Sequence, residues 1–332
     1  MSASGLRADI PRRNLLFQMR RLRALEETIA ERYADGKMRC PVHLSTGQEA
    51  VSAAVGLVLE PADLAVSGHR AHTHYLAKGG SMRRMLAEIY GKATGCSRGK
   101  GGSMHLIDES VGFKGSTAIV GGTVPIGTGL GLSLKRRGTD RVACVFLGDA
   151  VVEEGVFFEA VNFAVLQRLP VLYVCENNLF SVYSPLAVRQ PAGRVIHEMV
   201  AALGLSTAAG DGNDPEAVFA SCRAMVESIR SGGGPAFVEF ATYRWREHCG
   251  PNFDNDIGYR AEAEFLAWKE RDPVATYARR LLEERVVTDA EIAVMDREIA
   301  AEVADAFAFA ESSPFPAPET AAEDVHAPGA SA

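Results

Sequence analysis

Asp149 stands in "LGDAVVEEG", directly after the apolar run "RVACVFL", and a second apolar run, "PVLYVCE", leads straight into Asn177-Asn178. Runs that are apolar throughout read as strands buried on both faces of a parallel sheet. Ligands of such sheets sit at the carboxyl ends of the strands, where backbone amides at a helix start hold phosphate. One strand-helix-strand unit separates the two ends, so Asp149 and the asparagine pair should meet in space. A carboxylate, an amide oxygen and a backbone carbonyl form a hard oxygen set suited to magnesium, which completes its shell with phosphate oxygens and water. Either feature alone is more often a helix cap or a turn. Their register across one unit makes a magnesium-diphosphate site the better reading. Glu153 and Glu154 are expected in the first turn of the following helix, where carboxylates interact well with the helix dipole.

Gly210-Asp211-Gly212 is a more literal Gly-Asp-Gly. It lacks an asparagine pair at a comparable distance, and "GNDP" runs on to Pro215, so it reads as a turn and helix start.

The elements that must position these residues follow from periodicity. Residues 14–35 carry Leu15, Met19, Leu22, Leu25 and Ile29 at helical spacing and end at Gly36. "GQEAVSAAVGLVLE" is a second helix, "LAVSG" a short strand, and "SMRRMLAEIY" a helix started by Ser81. The glycine-dense "GCSRGKGGSMHL" is a loop that turns sharply or approaches something closely. From Pro125 a regular alternation begins: helix "PIGTGLGLSLKRRG", strand, helix 153–167, strand, helices near 194–203 and 215–231, and strand "AFVEFATYR". The pattern predicts an α/β fold, a parallel sheet with helices on both faces, extended by helices at both ends. Residues 1–13 read as a flexible arm, 14–310 as a single domain, and the Pro/Ala-rich 311–332 as disordered.

The chain has 332 residues, is 47% hydrophobic and 23% charged, and carries a net charge of −7. That balance gives no reason to expect nucleic acid or an anionic membrane as partner. No run of about 18 apolar residues suggests a transmembrane segment. The six cysteines are scattered without a C-x-x-C pair, as reduced thiols of a cytoplasmic protein would be.

With Gly-Asp-Ala, a helix and strand, and then Asn-Asn in place, the sequence resembles thiamine diphosphate-dependent enzymes. Within them it is most similar to alpha subunits of the decarboxylating component of 2-oxo acid dehydrogenase complexes, such as those for pyruvate and acetoin. The likeness spans about 14–310 and includes "HLSTGQEA", "HRAH", "GKGGSMH", "IVGGTVPIGTGLGL" and "TYRWREHCG". It implies a thiamine diphosphate-binding fold with magnesium held by the side chains of Asp149 and Asn178 and the carbonyl of Phe180. Gly148, Ala150 and Val151 would line the diphosphate; alanine replaces a usual glycine, which is harmless if its φ is negative. Arg70 matches a diphosphate-binding arginine. His69, beside it, stands where tyrosine is common. Ala118 and Val120 match the segment that holds and bends the cofactor, His43 and His248 the histidines near the reacting carbon. His72, His74 and His105 read as structural, and His197 has no motif support.

The resemblance further implies a partner. A beta subunit would supply the pyrimidine-binding domain and the catalytic glutamate, in a heterotetramer, with a lipoyl-bearing acyltransferase as acceptor and a small 2-oxo acid or acyloin as substrate. The departures lie in the loop "WREHCGPNFDNDIGYR", where Cys249 replaces a serine phosphorylated in some relatives, and at Pro41, often aromatic. Three readings stay open: an oxidative 2-oxo acid dehydrogenase subunit, a two-subunit carboligase of a biosynthetic pathway, and a non-catalytic protein of the same fold.

Overall fold

The computed structural model describes residues 10–323. Six parallel strands form the main sheet: β1 (Leu64–Ser67), β2 (Phe113–Ser116), β3 (Ala143–Gly148), β4 (Val171–Asn177), β7 (Ser206–Asp211) and β8 (Ala236–Ala241). A two-residue pair, β5 (Phe180–Ser181) and β6 (Ser184–Pro185), stands apart as an antiparallel ribbon. The order across the main sheet is β2-β1-β3-β4-β8-β7. From β1 the chain moves outward to β2, and from β3 it moves the other way to β4. The order therefore reverses between β1 and β3, and the carboxyl ends of these two strands border the crevice where open parallel sheets take ligands. Gly148 pairs with Glu176, and Asn177 with Ala241, so the ends of β3, β4 and β8 are level.

Both faces of the sheet are covered. Along β3, Cys144 and Phe146 enter one core layer while Val145 and Leu147 enter the other, which is why the run is apolar at every position. Helices α1 (Arg12–Arg32), α2 (Glu49–Val58), α3 (Ala71–Ala77) and α4 (Met82–Ile89) supply much of the first layer, and later helices the rest. Helices α5 (Thr123–Arg136) and α6 (Gly155–Leu166) supply most of the second. The glycines of α5 set how closely it lies. A Cβ on Gly127 would meet Val145 Cγ2 at 2.2 Å, and one on Gly131 would meet Val171 Cγ2 at 2.4 Å, whereas one on Gly129 would meet nothing.

Several expectations are corrected. Helix α3, strand β2 and edge strand β7 were not read from the sequence. Gly210 and Asp211 end β7, and the turn follows them; the next helix, α9 (Pro215–Arg230), is capped by Asp214, after α7 (Leu186–Arg189) and α8 (Ile196–Ala201). Glu153 closes a 3-10 segment, Asp149–Glu153, and Glu154 is the N-cap of α6, so neither lies within its first turn. The N-terminal helix begins at Arg12, inside the expected arm. Beyond α10 (Glu262–Glu270) and α11 (Pro273–Glu283), helix α12 runs Asp289–Ser312. After it, Pro314 accepts from the Ala93 amide and the Lys92 ammonium sits 3.8 Å from the Phe315 ring centre. The rest of the expected disorder, like most of the arm, falls outside the described residues.

The glycine spacing of α5 yields a paired test. Gly127→Ala should destabilise the fold by about 1–3 kcal/mol through overpacking, while Gly129→Ala should be neutral or stabilise it by up to about 1 kcal/mol. Urea unfolding of both variants checks this; equal effects would contradict the close approach of α5 to the sheet.

Candidate active site

The crevice between β1 and β3 opens into a cavity of about 340 Å³. Gly68, His69 and Arg70 follow β1, Ala118 to Gly121 follow β2, Gly148 ends β3 with Asp149 to Val151 after it, and Asn178 and Phe180 follow β4. His43 enters from the loop before α2 and His248 from the loop after β8. All the residues singled out from the sequence, His43, His69, Arg70, Ala118, Val120, Gly148, Asp149, Ala150, Val151, Asn178, Phe180 and His248, line this one cavity.

Arg70 ties its walls together. One guanidinium nitrogen donates to the Leu44 carbonyl at 2.7 Å, and the other donates to the His248 carbonyl at 2.9 Å and faces His248 Nδ1 at 3.4 Å. The loop of His43 is thereby joined to the loop of His248. Two backbone bonds stitch the same loops, Trp245 N to Thr46 O at 3.0 Å and Gly250 N to Val42 O at 2.8 Å. Gly47, at φ +98°, permits the approach, since a Cβ there would lie 2.5 Å from the Tyr243 carbonyl. Arg70 is no surface ion pair: it is buried, and desolvation pushes its pKa down to about 9.

Asp149 is 2% exposed and lies at the bottom of the crevice. Burial raises its carboxyl pKa, and the guanidinium of Arg189 opposes that rise by pairing with it. The same guanidinium pairs with Glu153. A cation thus already stands against this carboxylate, supplied by the chain itself from α7. Ala150 is not among the residues with positive φ, so its methyl group imposes no strain. Asn178 Oδ1 accepts from the Phe180 amide at 3.2 Å and keeps a second lone pair. The Phe180 ring is buried edge-on against Tyr243 and Tyr259, which fixes the backbone around its carbonyl.

Sequence reading missed the groups behind these. Glu239 on β8 accepts from Asn177 Nδ2 at 2.8 Å with one oxygen, and from the amide and Nδ1 of His197 with the other. Asn177 Oδ1 in turn accepts from Leu179 N at 3.1 Å, holding Leu179 at φ +72°. The turn that presents Asn178 and the Phe180 carbonyl is therefore braced from two strands. His74, read as structural, lines the cavity: its ring bonds Ser67 Oγ at 2.7 Å and Glu176 Oε2 at 3.1 Å. Glu176 Oε1, also in the wall, is buried without a partner. His72 spans Glu26 and Ser103, away from the lining residues, as expected of a structural group. His105 accepts weakly from the Ala118 amide at 3.5 Å.

The divergent loop 245–260 is a folded part of the wall. Asp254 is buried between Arg244 and Arg260, with the Tyr259 hydroxyl donating to it at 2.6 Å. Arg244 also donates to the Val182 carbonyl at 2.7 Å, which links this loop to the segment after the asparagine pair.

These residues fit a magnesium-diphosphate group by their chemistry. Asp149, Asn178 and the Phe180 carbonyl provide hard oxygens, Arg189 shows that the carboxylate accepts a cation, and the unpartnered Glu176 oxygen calls for a donor from a ligand. Around the other end, the imidazoles are neutral. Burial, and then the charge of Arg70, push His43 down to about 2, and His69 and His248 to about 3.

Comparison with known proteins gives consistent results. A family profile described as "Dehydrogenase E1 component" matches residues 17–319. A protein of Rickettsia felis named pyruvate dehydrogenase E1 component subunit alpha is 37% identical over 295 residues, covering 89% of each chain. Its namesake in Rhizobium meliloti is 36% identical over 300 residues, covering 90% of this chain and 85% of its own. The chloroplastic alpha-3 subunit of Arabidopsis thaliana is 36% identical over 311 residues, covering 92% and 72%.

The depressed histidines set a pH dependence. In the unfolded chain they take up protons near the usual 6.5, but in the folded chain only near 2 or 3, so stability is complete above about 6.5 and is lost as pH falls below it. The thermal midpoint without ligands should drop from pH 7 to pH 5, and His43→Gln should flatten the drop. A flat profile in the parent protein would contradict neutral, buried imidazoles.

Proposed function

The chain belongs to the dehydrogenase E1 component family, and we propose that its cavity is the diphosphate half of a thiamine diphosphate-dependent 2-oxo acid dehydrogenase site. The chain is the alpha subunit of the first component of such a complex. One observation carries the assignment of the site: at the switch point of the sheet, Asp149, Asn178, Phe180 and Arg70 converge on one cavity although they follow three different strands.

In this reading Asp149, Asn178 and the Phe180 carbonyl hold magnesium. Arg189 would have to release Asp149 for the metal, and its second pair, with Glu153, would keep it close. The amides of Ala150 and Val151 face the diphosphate, and the positive charge of Arg70 favours it. Ala118 and Val120 hold the pyrimidine end at the cavity mouth. Thiamine diphosphate, when bound, supplies the carbon nucleophile and stores the electron pair released with carbon dioxide. The chain's own part is to bind, orient and keep water out. His43 and His248, neutral and held by the Arg70 ties, donate hydrogen bonds to the substrate carboxylate and move protons at the reacting carbon. Glu239 and Asn177 keep the metal turn in place.

A beta subunit completes the site with a pyrimidine-binding domain and a glutamate, and a lipoyl-bearing acyltransferase takes the acyl group. Ile119 and Val120 in the cavity wall, Ile126 on α5, and Phe163 and Leu166 on α6 are exposed and apolar, and this is the surface we assign to the beta subunit. The carboligase alternative gains no support from the names of the relatives. The six cysteines are free and no described helix is long and apolar enough to cross a membrane, in keeping with a cytoplasmic location. Residues 14–310 act as one diphosphate-binding unit.

The test is co-expression with a beta subunit and calorimetric titration with thiamine diphosphate and magnesium. Asp149→Ala should lose magnesium-dependent binding by at least about 100-fold, and the alpha chain alone should decarboxylate no 2-oxo acid. Unchanged cofactor affinity in the variant removes Asp149 from the metal site, and robust turnover by the lone chain removes the need for a partner.

A further inference from the structure

His43, His69 and His248 form a compact triangle in the cavity wall. Their ring centres lie 4.7, 5.0 and 5.2 Å apart, and one nitrogen of each lies within 4.8 Å of the others. The three come from separate loops, so the triangle is a product of the fold rather than of local sequence. A guanidinium can only donate, so the contact from Arg70 makes His248 Nδ1 an acceptor and leaves the proton of that ring on Nε2. His43 is 6% exposed and its Nδ1 has no partner.

Three imidazoles in such reach are also a zinc set. The surroundings oppose a cation: Arg70 touches His248, and both Arg70 and Arg244 act on His69 and His248 as repelling charges. A neutral imidazole can serve an anion through its N–H, but its other nitrogen calls for a group that donates. Each ring offers one donor and one acceptor, and a hydroxyl likewise both donates and accepts. A carboxylate accepts only, and an alkyl chain does neither. Two imidazoles suffice for the departing carboxylate, which leaves the third in excess for a plain 2-oxo acid. An alkyl substrate would then bury an unpaired ring nitrogen, and sites built to bond a hydroxyl discriminate strongly against analogues without it.

We propose that His69, the third ring of the His43–His69–His248 triangle, recognises a hydroxyl, and that the preferred substrate is a 2-oxo acid bearing a hydroxyl beside the oxo group. His69 is the specificity-determining residue. The inference rests on the 2-oxo acid dehydrogenase reading above and narrows its substrate class.

Two measurements on the complex with the beta subunit, loaded with thiamine diphosphate and magnesium, test it. Glycerate and lactate differ by one hydroxyl, and as 2-hydroxy acids neither carries the oxo carbon that is attacked. Calorimetry should find glycerate bound at least about tenfold more tightly than lactate. His69→Phe should bring the two within about twofold by weakening glycerate alone, and His69→Gln, which keeps an acceptor and a donor, should retain part of the difference. In turnover, 3-hydroxypyruvate should exceed pyruvate in kcat/KM on the order of 100-fold, with the ratio collapsing in His69→Phe. Equal binding of glycerate and lactate, a preference unchanged by His69→Phe, or faster use of pyruvate overturns the proposal. So does zinc binding that competes with glycerate and is lost in His69→Phe. A complex that decarboxylates neither acid defeats the dehydrogenase reading instead, while the glycerate-to-lactate ratio still decides the subsite.

Discussion

The site depends on one buried guanidinium. Arg70 follows β1 at the point where the strand order reverses, and burial costs it enough to lower its pKa to about 9. That cost is offset by carbonyls rather than by a carboxylate in contact: Leu44 and His248 each accept from it. Because these carbonyls belong to the loops of His43 and His248, satisfying the buried charge also assembles the wall that carries both histidines. A carboxylate partner would have neutralised the field. Carbonyl partners leave it positive, which favours a diphosphate and keeps the neighbouring imidazoles neutral.

The opposite wall works on the reverse sign. Asp149 is a buried carboxylate, and here the chain provides Arg189 as its counter-ion, shared with Glu153. Of the two glutamates after Asp149, Glu153 helps hold the arginine that balances the carboxylate, and Glu154 occupies the N-cap position of α6 without a side-chain cap bond. Behind Asn178 and the Phe180 carbonyl, Glu239 and His197 brace the Asn177 turn, and the Arg244–Asp254–Arg260 cluster fixes the loop that carries His248. Breaking such a buried pair typically costs about 3–5 kcal/mol, so this loop is a rigid wall and not a loose lid.

Legibility in the sequence followed physical signal strength. Strands β3 and β4 were readable because both faces are buried, and the site was readable because Asp149 and Asn178 fall at level strand ends. Edge strand β7, "STAAGD", is largely exposed and made of small residues, so it carries neither an apolar run nor an alternation. Helix α3, "AHTHYLA", is buried at nearly every position and shows no amphipathic stripe. Arg189, Glu239 and Asp254 were invisible for another reason: their roles come from partners brought together by the fold, such as Asp149, 40 positions from Arg189. The third histidine shows the limit most clearly. His69 looked like a substituted tyrosine, and only the loops joined by Arg70 place it in a triangle with His43 and His248.

Hydrogen exchange of the Arg70→Met protein, compared with the parent, tests the central role of this residue most directly. If the guanidinium joins the two histidine loops, backbone amides in 42–46 and 245–250 lose protection together, while those of β3 and β4 stay as slow as in the parent. Unchanged protection in both loops would contradict the account.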